Sequence, residues 1–225
     1  MAAALGLTLA STALADELAE APPPSPIVDH LAGWVVASDD NHGLPYIVID
    51  KVTATVSAYD RHGNLKGETP ALLGLAQGDD SVTGIGDREM MKIHPQERTT
   101  PAGRFVASFG MSRGKGRVLW VDYSSAISLH PVITTNKSER RLQRLKSPTP
   151  DDNRISYGCI NVAPAFYQNV VRKLFRKGGL VYVLPDTKSL DEVFPSFAVQ
   201  ARAEGWTAPH AADAALAAAA MADAP

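Results

Sequence analysis

The residue best suited to covalent chemistry in this chain is Cys159, the only cysteine among 225 residues. It directly follows Gly158, within a segment (residues 154–162) that leads into a predicted helix. A thiolate attacks carbonyl carbons, a small neighbour lets the substrate approach the sulfur, and the amides of a turn can receive the oxyanion. A lone cysteine is more often a small buried hydrophobic residue. The residues around Cys159 therefore decide between a nucleophile and a packing residue.

Those residues favour a nucleophile. Residues 156–161 read Ser-Tyr-Gly-Cys-Ile-Asn. They resemble the nucleophile motif of the L,D-transpeptidase family (YkuD-type), where Ser or Thr, His, Gly and Cys precede an apolar residue and Asn or Arg. Residues 99–105, Thr-Thr-Pro-Ala-Gly-Arg-Phe, resemble the family's Thr-Pro-x-Gly-x-Phe segment, and His130 in a Leu-His-Pro sequence matches its upstream histidine. The pieces occur in the family's order, and the resemblance covers about residues 45–185.

The resemblance implies a fold and a reaction. The fold is mainly β, an L,D-transpeptidase-like sandwich or barrel with one helix after the cysteine and short peripheral helices. The reaction is acyl transfer through a thioester on Cys159, with His130 as the general base. The substrate is a peptidoglycan stem tetrapeptide, cut after the L-centre of diaminopimelate with loss of D-alanine. The acceptor is a second stem-peptide amine, an amine of an envelope protein, or water, which gives L,D-carboxypeptidase hydrolysis.

Further residues near the motif are predicted to serve the substrate. The amides of the turn formed by Tyr157, Gly158 and Cys159 are candidate donors to the oxyanion, and Ser156 is expected to fix the turn. Residues 136–153 form a polar insertion between the base and the nucleophile, and its cations are expected to meet substrate carboxylates as a lid. The alternative is a solvated charged loop. The candidate substrate-binding residues are Arg154, Asn161, Arg140, Arg141 and Arg144.

Two departures from the family pattern keep other functions open. Tyr157 stands where the family usually has His, and Cys159 follows His130 by 29 residues (159 minus 130), a longer spacing than usual. The first alternative is a non-catalytic cell-wall-binding module of the envelope. The second is another cysteine peptidase or amidase, such as a papain-like enzyme, which is disfavoured because its nucleophile precedes its histidine. His94, in a polar loop, is the rival base.

The overall charge and composition exclude several partner classes. A net charge of −2 and a pI near 6.3 give no general attraction to nucleic acid or to anionic membranes. A hydrophobic content of 45% and a charged content of 20% are typical of a globular domain. One cysteine can form no internal disulfide, and with scattered histidines it makes no metal-ligand set. No metal, cofactor or nucleic-acid partner is therefore predicted.

The chain divides into five predicted segments. Residues 1–15 are largely apolar and end in Ala-Leu-Ala, which predicts a cleaved signal peptide and export to the periplasm or cell envelope. The alternative is an alanine-rich disordered N-terminus. The apolar run is too short to span a membrane. The other segments are a proline-rich linker and N-terminal segment (16–44), the catalytic domain (45–187), a C-terminal extension (188–206) and an alanine-rich disordered tail (207–225).

Within the predicted catalytic domain, the pattern is typical of strands followed by one helix. Pro164 is a suitable first helical residue, and apolar positions four apart continue to Phe175. Cys159 is then expected in the turn just before this helix, whose N-terminus would favour a thiolate. A short amphipathic turn is predicted around Leu142 and Leu145, and a helix at 189–204 is expected to be interrupted by Pro195. Strands are predicted at 46–49, 52–58, 65–74, 105–109 and 118–123 (around a turn at 113–116), 126–130 and 180–184.

Overall fold

The structure, a computed structural model, describes residues 25–206, and its centre is one closed β-sheet. The strands are β1 (Tyr46–Asp50), β2 (Thr55–Tyr59), β3 (Leu65–Gly74), β4 (Gly103–Ser112), β5 (Gly116–Asp122), β6 (Ile127–Pro131), β7 (Arg154–Ser156), β8 (Ile160–Val162) and β9 (Gly179–Val183). They pair in the order β2-β1-β9-β4-β5-β6-β8-β3, and β3 pairs again with β2, so that eight strands close into a barrel. The ninth strand, β7, pairs with the end of β3. The predicted mainly β fold is confirmed.

Short helices surround the barrel, as the sequence predicts. One helix follows the cysteine segment and begins at Pro164; it consists of α3 (Pro164–Phe166), a π-helical segment (Tyr167–Val171) and α4 (Arg172–Leu174). The predicted interruption at Pro195 separates two helices, and Ser189 caps the first of them with Glu192 in a capping box. The remaining helices are α1 (Pro26–Ala37), α2 (Arg141–Leu145), α5 (Leu190–Val193) and α6 (Pro195–Ala203).

Strands β1 and β9 are buried on both faces, which explains their continuous apolar sequences. Successive side chains of a strand point to opposite sides. One set faces the barrel interior, where the helix after the cysteine also packs through Phe166, Val171 and Phe175. The other set faces α1 and α6, which supply Leu31, Val35 and Phe197 to a second core. The inward set is Ile47, Ile49, Val181 and Val183, and the outward set is Tyr46, Val48, Leu180 and Tyr182.

Two predictions about local structure are wrong. Strand β2 begins at Thr55 because residues 51–54 form a turn, in which Ala54 has a φ of 54°. Cys159 does not lie directly before a helix, since strand β8 follows it and pairs with β6 and β3. A strand of three residues, such as β7 or β8, is too short to give a periodic pattern in the sequence. Because β8 separates Cys159 from the helix, the helix N-terminus does not account for the environment of the thiol.

Some predictions fall outside the residues that the structure describes. These are the signal peptide (1–15), the first part of the linker and the tail (207–225). Within the predicted N-terminal segment, residues 26–37 form α1, which packs on the barrel. Within residues 25–206, no helix has both the length and the apolar content needed to cross a membrane.

Candidate active site

The parallel pairing of β6 with β8 brings the predicted base and nucleophile segments together. Its register places Leu129 beside Ile160 and His130 beside Asn161. Cys159 immediately precedes β8, so its thiol lies next to the strand that carries the histidine. Cys159, His130 and Asn161 are all buried, and Cys159 is only 7% exposed. The separation of 29 positions between His130 and Cys159 (159 minus 130) therefore contains a long crossover between neighbouring strands.

The thiol of Cys159 is surrounded by polar groups. The Lys115 ammonium lies 3.2 Å from Sγ, the Ser128 hydroxyl 3.5 Å from it, and the Ala126 carbonyl oxygen 3.6 Å from it. Burial alone would raise the pKa of this thiol. Hydrogen bonding to His130 and the positive charge of Lys115 outweigh burial, with Ser128 contributing, and lower the pKa of Cys159 to about 6. The sulfur is therefore mainly a thiolate at neutral pH.

The hydrogen bonds of His130 assign its tautomer. Nδ1 lies 2.8 Å from the carbonyl oxygen of Pro131, which can only accept, so Nδ1 carries the proton and donates it. Nε2 is then the bare nitrogen, and the Asn161 amide donates to it at 3.4 Å. A bare Nε2 is what a general base requires. The rival base, His94, is exposed at the start of the 3-10 turn Pro95–Glu97 and makes no contact with the thiol.

The turn that carries the nucleophile depends on Gly158. Its φ is +111°, and a Cβ added there would lie 2.5 Å from the Thr99 carbonyl oxygen and 2.6 Å from Ile127. Ser156 fixes this turn, as predicted, because its hydroxyl donates to the Cys159 carbonyl at 2.6 Å and accepts from the Gly158 N–H at 3.0 Å. The Gly158 amide is thus already engaged. The amides of Tyr157 and Cys159 are the turn's remaining candidate donors to an oxyanion.

Thr100 gives the Thr-Pro segment a physical role. Its buried hydroxyl donates to the Gly158 carbonyl at 2.9 Å and accepts from the Gly74 N–H at 2.9 Å. The hydroxyl therefore ties the nucleophile turn to the end of strand β3. Sequence analysis found this segment only through its resemblance to a family, without a reason for it.

The side chain of Tyr157 lies beside the turn and packs against a cation. The guanidinium carbon of Arg98 is 3.9 Å from the centre of the Tyr157 ring, within the range of a cation–π interaction. Arg98 in turn donates to the Ile93 carbonyl at 3.0 and 3.2 Å. The phenol is not among the groups that contact or shift the thiol. Tyr157 therefore supports the turn from outside.

The predicted substrate-binding cations have separate positions. Arg141 donates to the Asn161 side-chain oxygen at 2.6 Å and to Glu139 at 2.5 Å, so it belongs to the site. Arg144 donates to the carbonyls of Glu139 and Asp152 and holds the insertion together. Arg140 is exposed and bonds to Gln143 within the same turn.

Arg154 lies in a different environment. Its guanidinium donates to Asp186 at 2.7 Å and to the Lys51 carbonyl at 3.0 Å, and its side chain is 10% exposed. These bonds favour a structural role over the predicted substrate-binding one, because the guanidinium is already paired with the carboxylate of Asp186.

Sequence analysis missed Lys115 and Ser128, which both contact the thiol. Lys115 lies in the turn between β4 and β5, between two glycines with φ of +78° and +73°. A lysine between two glycines at the tip of a predicted hairpin was the available signal. The strand register that brings this tip to Cys159 is a long-range property and leaves no local trace.

The chain was compared with known proteins. No family model and no curated protein matches it. Similar solved structures include an L,D-transpeptidase from Mycobacterium smegmatis, with 16% identity, a TM-score of 0.35 and coverage of 62% of this chain and 58% of that chain. The helical cell shape determining protein Pgp2 from Campylobacter jejuni has 14% identity, a TM-score of 0.40 and coverage of 71% and 57%.

A third similar structure is the catalytic domain from E. faecium L,D-transpeptidase, with 17% identity, a TM-score of 0.32 and coverage of 62% of this chain and 95% of that domain. The chain spans less than two thirds of the length of the M. smegmatis and C. jejuni proteins. The function of the site is therefore interpreted from the contacts that this chain makes itself.

Proposed function

We propose that this protein is a cysteine-dependent acyltransferase of the L,D-transpeptidase type. The observation that carries the proposal is the arrangement at Cys159: the Lys115 ammonium lies 3.2 Å from Sγ, His130 lies on the neighbouring strand, and both groups help to lower the pKa of the thiol to about 6. A packing cysteine needs neither neighbour. A nucleophile needs both deprotonation and a base that can later return the proton.

The proposed reaction has two acyl-transfer steps. His130 Nε2 takes the proton of the Cys159 thiol, the resulting thiolate attacks the substrate carbonyl, and the amides of the turn receive the oxyanion. The C–N bond of the substrate then breaks, the leaving amine takes a proton from His130, and a thioester remains on Sγ. In the second step, His130 Nε2 accepts a proton from an acceptor amine or water, which attacks the thioester. The products are an amide or a carboxylate and the free Cys159.

The substrate class follows from the sequence resemblance. It implies a peptidoglycan stem tetrapeptide as acyl donor, with D-alanine as the leaving group. The acceptor is a stem-peptide amine, an envelope-protein amine or water. This substrate requires a location in the periplasm or cell envelope, which agrees with the signal peptide predicted at residues 1–15.

Intact-protein mass spectrometry after exposure to a carbapenem tests the nucleophile, since this β-lactam class acylates the family that the motifs resemble. We expect one covalent adduct on the parent and none on Cys159→Ala. Release of D-alanine from a stem tetrapeptide, with and without an acceptor amine, tests the reaction itself. His130→Ala should abolish release, while His94→Ala should retain it. An adduct that persists in Cys159→Ala, or a requirement for His94, would refute the assignment.

The alternative function is a non-catalytic module that binds the cell wall. Tyr157, in place of the family's histidine, and the 7% exposure of Cys159 are the observations that favour it. Such a module would bind stem peptides without forming an adduct or releasing D-alanine. Binding of the tetrapeptide by a folded parent that shows neither reaction would favour this function over the acyltransferase.

A further inference from the structure

We propose that Lys115 is a further catalytic residue, whose ammonium group pairs with the Cys159 thiolate and holds the nucleophile in its anionic form. The inference rests on the proposed function in one respect, namely that Cys159 is the nucleophile. No motif of the sequence analysis assigns a role to this lysine, which follows from the geometry alone.

The contact is direct. Lys115 Nζ lies 3.2 Å from Sγ, and among residues 25–206 this ammonium makes no other hydrogen bond and no ion pair. A flexible surface lysine normally remains hydrated or pairs with a carboxylate, because ordering its long side chain costs rotamer entropy. Here the side chain is half-buried, and its only partner is the reacting atom.

The hairpin between β4 and β5 accounts for the position of Lys115. Gly114 and Gly116 both have positive φ, at +78° and +73°, so the turn adopts a backbone that other residues rarely take. The Lys115 amide also closes the turn by donating to the Ser112 carbonyl at 3.2 Å. This backbone directs the lysine across the sheet toward the segment that carries Cys159.

The charged and titratable groups that face the thiol are few. His130 approaches from β6 and Lys115 from the hairpin, while the uncharged Ser128 lies on β6. Arg98 reaches the neighbouring Tyr157 ring, and Arg141 reaches Asn161. His130 is positively charged only while it holds the proton taken from the thiol, whereas the charge of Lys115 does not depend on that transfer. Among the described residues, Lys115 is the only lysine or arginine in contact with the sulfur.

The two roles are therefore divided between two residues. Lys115 stabilises the thiolate electrostatically in the free enzyme, while His130 carries protons, taking one from the thiol and exchanging protons with the leaving and attacking groups. An opposite charge within about 4–6 Å lowers the pKa of an acid by about 1–3 units. Removal of Lys115 should then raise the pKa of Cys159 by about one unit or more.

The experiment is the pH dependence of Cys159 alkylation by iodoacetamide, a neutral reagent that needs no substrate recognition. The parent should show a midpoint near pH 6, because the pKa of Cys159 is lowered to about 6. Lys115→Met should move the midpoint upward by about one unit and slow alkylation about fivefold at pH 6. At pH 9 the variant should react as fast as the parent or faster, since a thiolate of higher pKa is the stronger nucleophile.

Three further variants separate charge from other effects. Lys115→Arg keeps a cation and should retain most of the low midpoint, whereas Lys115→Gln keeps a donor without charge and should behave like Lys115→Met. Arg113→Met removes a cation from the same turn and should leave the midpoint unchanged. Lys115→Met with an unchanged midpoint, or with slower alkylation at every pH, would overturn the proposal. Because the test follows the thiol alone, its result is independent of whether a carbapenem acylates the protein.

Discussion

Lys51 and Lys115 are two lysines with opposite surroundings. The Lys51 ammonium is 0% exposed and lies 2.6 Å from Asp79, 2.8 Å from the Gly78 carbonyl, 2.9 Å from the Thr100 carbonyl and 3.3 Å from Asp186. All of its partners are oxygens that cannot react. Its charge and its donors are fully used, as a buried ammonium requires.

Lys115 is the contrasting case. It is half-buried at the tip of a hairpin, and its one side-chain partner among residues 25–206 is the sulfur of Cys159 at 3.2 Å. The comparison shows how a lysine that stabilises this fold differs from a lysine that changes the reactivity of a neighbouring group. A cation saturated by carboxylates and carbonyls holds the structure, while a cation with a single nucleophilic partner changes the reactivity of that partner.

Thr100 connects the two regions. Its carbonyl accepts from Lys51, and its hydroxyl donates to the Gly158 carbonyl at 2.9 Å. The ionic cluster thus fixes one end of a residue whose other end fixes the nucleophile turn. We expect substitutions in the cluster to act on stability, substitutions at the site to act on reactivity, and substitutions at Thr100 to act on both.

The largest effect on stability is expected for Asp79→Asn, which removes the carboxylate charge 2.6 Å from the buried Lys51 ammonium. Asp79 also accepts from the amides of Asp186, Thr187 and Lys188. Removal of one partner of a buried ion pair costs about 3–5 kcal/mol, so the free energy of unfolding measured in urea should fall by that amount. The pH dependence of Cys159 alkylation in the folded fraction should remain that of the parent.

The pH dependence of stability provides a control for this prediction. Burial would raise the pKa of Asp79, but the hydrogen bonds from Lys51 and Thr187 outweigh burial and leave the pKa below its ordinary value of 3.8. The resulting stabilisation is present above pH 3.8 and is lost as pH falls through the folded-state pKa. Asp79→Asn should lack this acid-dependent component. An unfolding free energy equal to that of the parent would show that the cluster is not what holds this region.

Thr100→Val should give an intermediate effect on both properties. The change removes the hydroxyl that supports Gly158 and leaves the buried Gly74 N–H without its acceptor, at a cost of about 1–3 kcal/mol. Alkylation of Cys159 should slow at every pH, because the turn loses its support. Thr99→Val is the matched control, since the Thr99 hydroxyl bonds to the Asp80 carbonyl instead. Loss of the Thr99 hydroxyl should reduce stability without slowing alkylation of Cys159. If alkylation slowed equally in both variants, Thr100 would have no special role in supporting the turn.

The sequence predicted most of the barrel but only part of the site. Strands with long apolar or alternating runs, such as 46–49 and 180–184, are specified locally by side chains that pack on one or both faces. Cys159, His130, Ser156 and Asn161 were found because a motif preserves their order. Lys115 was not found, because its role depends on the register of β4 with β5 and on the closure of the barrel. A contact between residues 44 positions apart in sequence has no local signature.

Two arginines of the insertion at 136–153 allow a test of whether this segment positions the residues of the site. Arg141 is 14% exposed and holds the Asn161 amide, which donates to His130 and to the Cys159 carbonyl. Arg141→Gln should slow iodoacetamide alkylation about fivefold, the equivalent of about 1 kcal/mol for one hydrogen bond. Arg140→Gln, at an exposed position, should change nothing.

The choice of reagent distinguishes this positioning role from the lid that the sequence suggested. A lid that binds substrate carboxylates would weaken turnover of a stem peptide in both variants and leave alkylation by a neutral reagent intact. A positioning residue would affect both reactions, and only in Arg141→Gln. Equal rates of iodoacetamide alkylation in the two variants would therefore contradict the positioning role. Residues 136–153 would then be interpreted as a substrate-binding lid or as a solvated charged loop.

The smallest effect is expected at Tyr157, because its phenol does not contact the thiol and its ring packs on Arg98. Tyr157→Phe keeps the ring, so a carbapenem should acylate this variant at a rate within about twofold of the parent's. Tyr157→Leu loses the cation–π contact with Arg98, so its free energy of unfolding should fall by about 0.5–1 kcal/mol. Tyr157→His restores the family's residue and adds an imidazole near the turn, so carbapenem acylation should be as fast as in the parent or faster. If only Tyr157→His formed an adduct, the turn and Lys115 would be intact in a protein that has lost catalysis, and cell-wall binding would be its function.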